Sequence, residues 1–383
     1  MAFVTYDAGE TLALLPVAEE LRASDTEVRW IPLTPWSADL LADHGEPFLP
    51  LPETATGSPH LEDRWGRADT GYWEAEIARI PPAVAVSGMV STVQGDLASR
   101  LREQGLVTVG YHDGFQPPGG EAISVQVSES FEEIWVPTEA VREGFRGLGL
   151  ETAVVGQPSL ESWRRAAEDV DPHAVRGRQG LEDGDRVLLF AGQYGPGYEE
   201  TLLSFLETMK VPLAADPGLI LVLSPHPRTE GSLEREALVE MGWGSVTEPE
   251  RPEGPASGGA AEGSAEAAGD ANPRAVMLAE GLSTMEAAVI ADAVLTWAST
   301  VGTQAAFMGK EVVYFTPPST FQSDLVDQGT AAQADPSTLG AILSRILERP
   351  RSPEVIRQAL ESGGYVVDAD RVVAERIQEV IRR

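Results

Sequence analysis

Short apolar runs alternate along this chain with longer stretches of mixed polarity, and the alternation predicts strands and helices in turn. In the first half, residues 2–6, 27–33, 83–86, 106–111, 131–136 and 152–155 read as strands. Helices are predicted at 12–24, 36–44, 95–104 and 138–148, the last starting at an N-cap Thr138. Residues 50–75 are rich in Pro, Gly and polar side chains and read as an irregular loop or lid. Short apolar strands between amphipathic helices mean a mostly parallel sheet covered on both faces.

Residues 156–163 read as a hinge, after which the theme repeats. Strands are predicted at 186–190, 219–223 and 275–278, and helices at 198–209, 284–291, 336–347 and 367–381. Residues 295–315 read as strand, small polar loop, apolar helix and strand, which is one βαβ crossover. The stretch 249–273 is rich in Gly, Ala, Pro and Glu and is expected to be a disordered surface insertion without function. The expected fold is α/β, with two Rossmann-like doubly wound domains, 1–157 and 158–383, facing across a cleft. Ligands of such sheets bind at the carboxyl ends of the strands, so the candidate chemistry is confined to the loops that follow strands.

Charge narrows the partners. The 383 residues carry 28 Lys and Arg against 60 Asp and Glu, a net −32, with the acid spread along the chain. A field of that sign repels nucleic acid and anionic membrane surfaces. Lysine is confined to Lys210 and Lys310. This pattern reads either as the solvated acidic surface of a protein from a high-salt cytoplasm or simply as an acidic protein. Cysteine is absent, which excludes disulfides and thiolate sites. No secretory signal and no apolar run of ~18 residues is visible, so no integral membrane segment is expected and a cytoplasmic location is the default.

Four loops of the second half carry candidate ligand groups. Gly192 and Gln193 lie in a glycine-rich loop that permits close backbone approach, or that is only a tight turn. His226 and Arg228, stiffened by Pro225 and Pro227, offer two donors suited to phosphate. Ser283 with Glu286 reads either as a helix cap or as a contact to a ribose or base. Ser299, Thr300, Gly302 and Thr303 form a small hydroxyl-rich loop at a helix start, where unpaired N–H groups favour anions. In the first half, Asp7 and Glu10 are candidates for a general base or a sugar ligand, with a helix cap as the competing reading. His112 and Asp113 read as a base oriented by a carboxylate, or as an Asp-Gly turn. The Asp-x-Asp triplets at 169/171, 183/185 and 368/370 are what chance gives in so acidic a chain, and no HExxH, GxSxG or Walker pattern occurs.

Taken together, these loops resemble the GT-B glycosyltransferase superfamily over nearly the whole chain, at the level of pattern. Residues 131–163 look like the approach to that family's interdomain hinge. Residues 187–195, 219–228 and 291–315 look like its nucleotide-binding half. The His226-Pro227 pair and the Gly309-Lys310 turn are most similar to CDP-glycerol glycerophosphotransferases, with a likeness also to UDP-N-acetylglucosamine 2-epimerases. The resemblance implies that His226, Ser299, Thr300 and Thr303 contact a diphosphate, and that Gln193 and Glu286 lie near the nucleotide or donor sugar. The epimerases carry a His-Arg element after the first strand of their second domain. Here that position holds Gly192-Gln193-Tyr194-Gly195, which argues against epimerase activity.

The expected function is a glycosyl- or glycerophosphate-type transferase. It would use a nucleotide diphosphate donor and an acceptor the sequence does not name, with no tightly held metal and no cofactor. Asp7, Glu10 or the His112–Asp113 pair would deprotonate the acceptor. The alternatives are a non-catalytic GT-B-like protein that binds a nucleotide sugar or a partner and, third, a sugar-nucleotide 2-epimerase.

Overall fold

The structure is a computed structural model that describes residues 1–52, 70–115, 117–193, 195, 197–226, 231–243, 274–316 and 323–383. The chain forms two compact units. The first is Met1–Ser162 together with Gly364–Arg383, and the second is Trp163–Gly363. The expectation of a second domain running to residue 383 differs from this at the carboxyl end, where the last twenty residues pack with the first unit.

The first unit is built on strands β1 (Ala2–Thr5), β2 (Arg29–Pro32), β3 (Val84–Gly88), β4 (Val107–Tyr111), β5 (Glu133–Val136) and β6 (Ala153–Val154). They pair in the order β2-β1-β3-β4-β5-β6, parallel throughout. Successive strand residues face opposite sides of the sheet, so a strand buried on both faces serves two cores. Phe3, Trp30, Val86 and Trp135 pack on one side with Leu14 and Leu21 of helix Ala8–Ala23 and with Val373 and Ile377 of helix Ala369–Arg382. Ala2, Val4, Ile31 and Ala85 point the other way, onto Trp73, Ile77, Leu97 and Leu101.

Two expectations are corrected in this unit. Helix Gly71–Arg79 occupies part of the stretch read as an irregular loop, because Trp73 and Ile77, one turn apart, bury against the sheet. The stretch read as a hinge is largely helix Pro158–Glu168. Its proline stands at the first helical position, where the missing N–H costs nothing. Ahead of it Gly156 takes φ +88°, and a Cβ there would press on Val366 and Ala369.

The second unit is built on β7 (Arg186–Ala191), β8 (Leu219–Ser224), β9 (Ala275–Met277), β10 (Ala293–Thr296), β11 (Glu311–Phe315) and β12 (Ala332–Ala334). The order is β12-β11-β10-β7-β8-β9, again parallel throughout. Leu295 of β10 sits between Phe190 and Val313. These residues share a core with Phe205, Leu206 and Met209 of helix Tyr198–Ala215, in which Phe190 and Phe205 stack with centroids 4.2 Å apart. The insertion 249–273 lies outside the described residues.

Each sheet reverses its winding once. After β1 the chain adds β2 on one side and β3 on the other, and after β7 it adds β8 and β9 on one side and β10 on the other. At such switch points the outgoing loops diverge and leave a crevice at the carboxyl edge of the sheet.

Candidate functional site

At the switch point of the second sheet, the loops after β7 and β10 are tied together. The Gln193 Nε2 donates to the carbonyl of Ala298 at 3.3 Å, and the Thr296 hydroxyl donates to the carbonyl of Ala191. Gly192 is required by its surroundings. Its N–H donates to the Ser224 carbonyl at 2.7 Å, and a Cβ on it would lie 2.7 Å from Glu234 Oε1 and 2.9 Å from the Tyr198 hydroxyl. Beside it, after β8, Ser224 and Thr284 share a hydroxyl–hydroxyl hydrogen bond of 2.7 Å, and His226 is half-buried. Gly192, Gln193, His226, Ser299 and Thr300 thus all follow the carboxyl ends of β7, β8 and β10. Arg228 lies outside the described residues.

The helix starts at this edge are held mainly by backbone and loop groups rather than by N-cap side chains. The helices after β7 and β8, Tyr198–Ala215 and Ser232–Glu240, have glycines at their N-caps (Gly197, Gly231) and no side-chain cap. At the short helix Val301–Phe307 after β10 the exposed Thr300 makes no capping bond, but Ser299 accepts from the Val301 amide through its hydroxyl (3.3 Å) and from the Gly302 amide through its carbonyl. Side-chain caps are more frequent in the first unit, although helix Ile123–Gln126 after β4 has none. There the helices after β1, β2, β3 and β5 are capped by Asp7, Thr34, Ser91 and Thr138. Helix N-termini present unpaired N–H groups and partial positive charge, and where no side chain caps them an anion or water does.

Other candidates of the second unit are occupied locally. Ser283 and Glu286 form a reciprocal capping box, and Glu286 also accepts from Arg178 at 2.5 Å. The Ser283 amide and Arg178 together hold the Glu286 carboxyl below its ordinary range. Gly302 lies over the Tyr314 hydroxyl, which a Cβ would approach to 2.6 Å, and Thr303, almost buried, hydrogen-bonds Tyr314. The Lys310 of the Gly-Lys turn is a buried structural cation. Its Nζ donates to the carbonyls of Val289 (2.6 Å) and Ala291 (3.0 Å), closing the end of helix Thr284–Ile290.

In the first unit, Asp7 and Glu10 are the two halves of the capping box on helix Ala8–Ala23. Glu10 is fully buried. It accepts from the Tyr6 amide and from Gln94 Nε2 (2.7 Å), and a Cβ on Gly88 would overlap its carboxylate. Burial, with the nearby charges of Asp7 and Asp113, pushes its pKa well up. The Asp113 carboxylate lies against Gly9 at the start of the same helix. The His112 ring packs edge-on against Phe145, centroids 5.3 Å apart. Asp7, Glu10 and Asp113 are therefore gathered at one helix start, at the switch point of the first sheet.

The Tyr198–Glu234 pair and Gln94 escape sequence reading, since nothing in a polar residue's type reveals that it folds inward. The one available signal is Ser91-x-x-Gln94, a capping-box pattern in the small-residue loop after β3. Among the described residues no group of three or more His, Asp or Glu is placed to hold a metal ion, and no helix is long and apolar enough to cross a membrane.

Neither a protein-family model nor a curated protein sequence matches the chain. Solved structures do. A Listeria monocytogenes protein assigned as a UDP-N-acetylglucosamine 2-epimerase aligns with a TM-score of 0.70 at 14% identity, covering 100% of this chain and 95% of that one. The UDP-GlcNAc 2-epimerase of Neisseria meningitidis, solved bound to UDP-GlcNAc, aligns at 0.64 and 12%, covering 99% of both chains. A glycosyltransferase of Rickettsia africae aligns at 0.63 and 8%, covering 100% of this chain and 97% of that one. At these identities it is the fold that is shared. With two six-stranded parallel sheets, each flanked by helices, matched over its full length, the chain has the GT-B fold.

Proposed function

We propose that this protein is a glycosyl- or glycerophosphate-type transferase that holds a nucleotide diphosphate donor at the carboxyl edge of the second sheet. One observation carries the reading: among the described residues the helices that follow β7 and β8 have glycine N-caps and no side-chain cap, whereas those after β1, β2, β3 and β5 are capped. An anionic ligand must overcome the field of a chain of net charge −32, and the glycine-capped helix starts after β7 and β8 would supply local positive potential, with His226, Ser299 and Thr300 as donors. The same groups would stabilise the diphosphate as it leaves, where electrostatic catalysis acts. Asp7, Asp113 and His112 are the candidates for taking the acceptor's proton. Glu10, sealed from solvent, would act only by fixing the helix that carries Asp7.

The second reading is a nucleotide-sugar binder that transfers nothing. It is favoured by the occupation of the first unit's carboxylates, since Asp7 and Glu10 are both engaged as helix caps. The epimerase reading remains the weakest, because Gly192 and Gln193 stand where a His-Arg element would be expected.

A thermal-shift screen of nucleoside diphosphates and nucleotide sugars in high salt tests the donor site, since a ligand of the folded state raises the melting temperature. A selective shift that disappears in His226→Ala and Ser299→Ala is expected. No shift with any nucleotide at millimolar concentration overturns the assignment. Transfer of the donor group to water or an acceptor then separates the transferase from the binder.

A further inference from the structure

At the amino-terminal edge of the second sheet lies a cavity of about 450 Å³. Glu311 opens β11 and Ala332 opens β12, so this is the edge opposite the loops described above. Its charged lining is Arg345, Arg349 and Arg351 against the single acid Glu311, and the turn at 329–332 contributes small residues. Two larger cavities lack this character. One of about 620 Å³ in the same unit sets Arg186 against Glu207, Asp216 and Glu348, and one of about 590 Å³ in the first unit balances Arg29 and Arg79 with Glu27 and Glu76. Of the three, only the smallest has a positive lining, in a chain whose net charge is −32.

The acid in this lining is already satisfied. Glu311, 5% exposed, accepts from Arg351 through its amide (2.8 Å), Nε (3.0 and 3.1 Å) and Nη2 (2.6 Å). Arg351 is further fixed by the carbonyls of Gly329 and Thr330. Arg345 and Arg349 are different. Both are exposed, and neither has a carboxylate partner among the described residues. Arg345 lies in the last turn of helix Leu339–Glu348 and Arg349 is the residue just beyond it, with non-helical backbone, and both line the cavity. Like charges gathered on one cavity repel, and the negative end of the helix offsets only part of the cost. Two guanidinium forks lining a cavity whose carboxylate is spent are matched to a doubly charged tetrahedral oxyanion.

We propose that this cavity binds a phosphate group, held by Arg345 and Arg349 with Arg351 as its fixed floor. The group is either free phosphate or diphosphate, or a phosphoryl group carried by a larger molecule. The site is independent of the donor site at the opposite edge.

Calorimetric titration of the full chain with inorganic phosphate, inorganic diphosphate and a nucleoside monophosphate, in chloride buffer at constant ionic strength, tests the proposal. Saturable binding is expected. It should be lost in the double variant Arg345→Gln/Arg349→Gln and kept in His226→Ala. Binding of the inorganic ions identifies a free anion as the ligand, and binding of the monophosphate alone identifies a phosphoryl group on a larger molecule. Absence of saturable binding overturns the proposal, as does equal binding by the double variant. Loss in His226→Ala with retention in the double variant also overturns it, because the anion then sits at the other edge. Both arginines are exposed, and unchanged melting of the double variant confirms that its loss of binding is local.

Discussion

The Tyr198 hydroxyl donates a hydrogen bond of 2.6 Å to Glu234 Oε1, and both side chains are sealed from solvent beneath the loop after β7. Among the described residues the other carboxylate oxygen has no partner, so this bond is the main compensation seen for burying Glu234. Burial, reinforced by the Glu234 charge, pushes the tyrosine pKa up, which keeps the hydroxyl a donor at any working pH. Removing the donor while leaving the acceptor buried is the costly half of breaking a hydrogen bond. Tyr198→Phe should therefore lose about 2–3 kcal/mol in urea denaturation. The double variant with Glu234→Gln should lose less than the sum of the singles. Strict additivity would mean that the two groups are not coupled.

Glu10 gives the stability a sign with pH. Its folded-state pKa is raised above the ordinary 4.5 by burial first and by Asp7 and Asp113 next. The folded state then binds the proton more tightly than the unfolded chain. The contribution is fully present below about 4.5 and is lost as pH rises through the folded value. Each pH unit crossed in that window costs about 1.4 kcal/mol. Glu10→Gln keeps a side-chain acceptor for the Tyr6 amide and does not ionise. Its advantage over the wild type should grow from acid to neutral pH. Parallel stability curves for the two proteins would refute this account.

Lys310 bonds two carbonyls at a helix end while burial lowers its pKa. Lys310→Met keeps much of the side-chain bulk but leaves both carbonyls without this donor. A loss of about 1–3 kcal/mol in chemical denaturation is expected, with nucleotide binding by the remaining folded protein unchanged. Loss of binding without loss of stability would make the residue part of a ligand site instead.

With 60 acids against 28 bases, self-repulsion acts against the folded state. Screening shortens from ~10 Å at 0.1 M salt to ~3 Å at 1 M. The melting temperature should rise over that range by roughly 2–8 °C in potassium chloride, as 1–2 kcal/mol would produce in a unit of about 150–250 residues. A flat or falling curve would show that the ion pairs on the surface matter more than the net charge.

The parallel sheets were legible because strands buried on both faces are written as plain apolar runs, such as Val84–Gly88 and Leu219–Ser224. The helix Gly71–Arg79 was not, since its inward face is only Trp73 and Ile77 among polar neighbours. β12 was missed because three residues, Ala332–Ala334, carry no period. At the candidate site, loop positions after strands were readable from the alternation alone. What each side chain does there was not. Ser283 with Glu286 and Asp7 with Glu10 have the same appearance whether they cap a helix or meet a ligand, and only the hydrogen bonds distinguish the two.

The helix Ala369–Arg382 packs Val373 and Ile377 onto Leu14 and Leu21 of the first unit, although the whole of Trp163–Gly363 lies between them in sequence. The first unit is thus completed by residues that follow the whole second unit in the chain. During translation the second unit, one continuous segment, can close while the first still exposes an apolar helix face that waits for the residues after Gly363. Expressed as separate pieces, Trp163–Gly363 has all its parts in one stretch, whereas a fragment ending at Ser162 lacks the helix that covers Leu14 and Leu21.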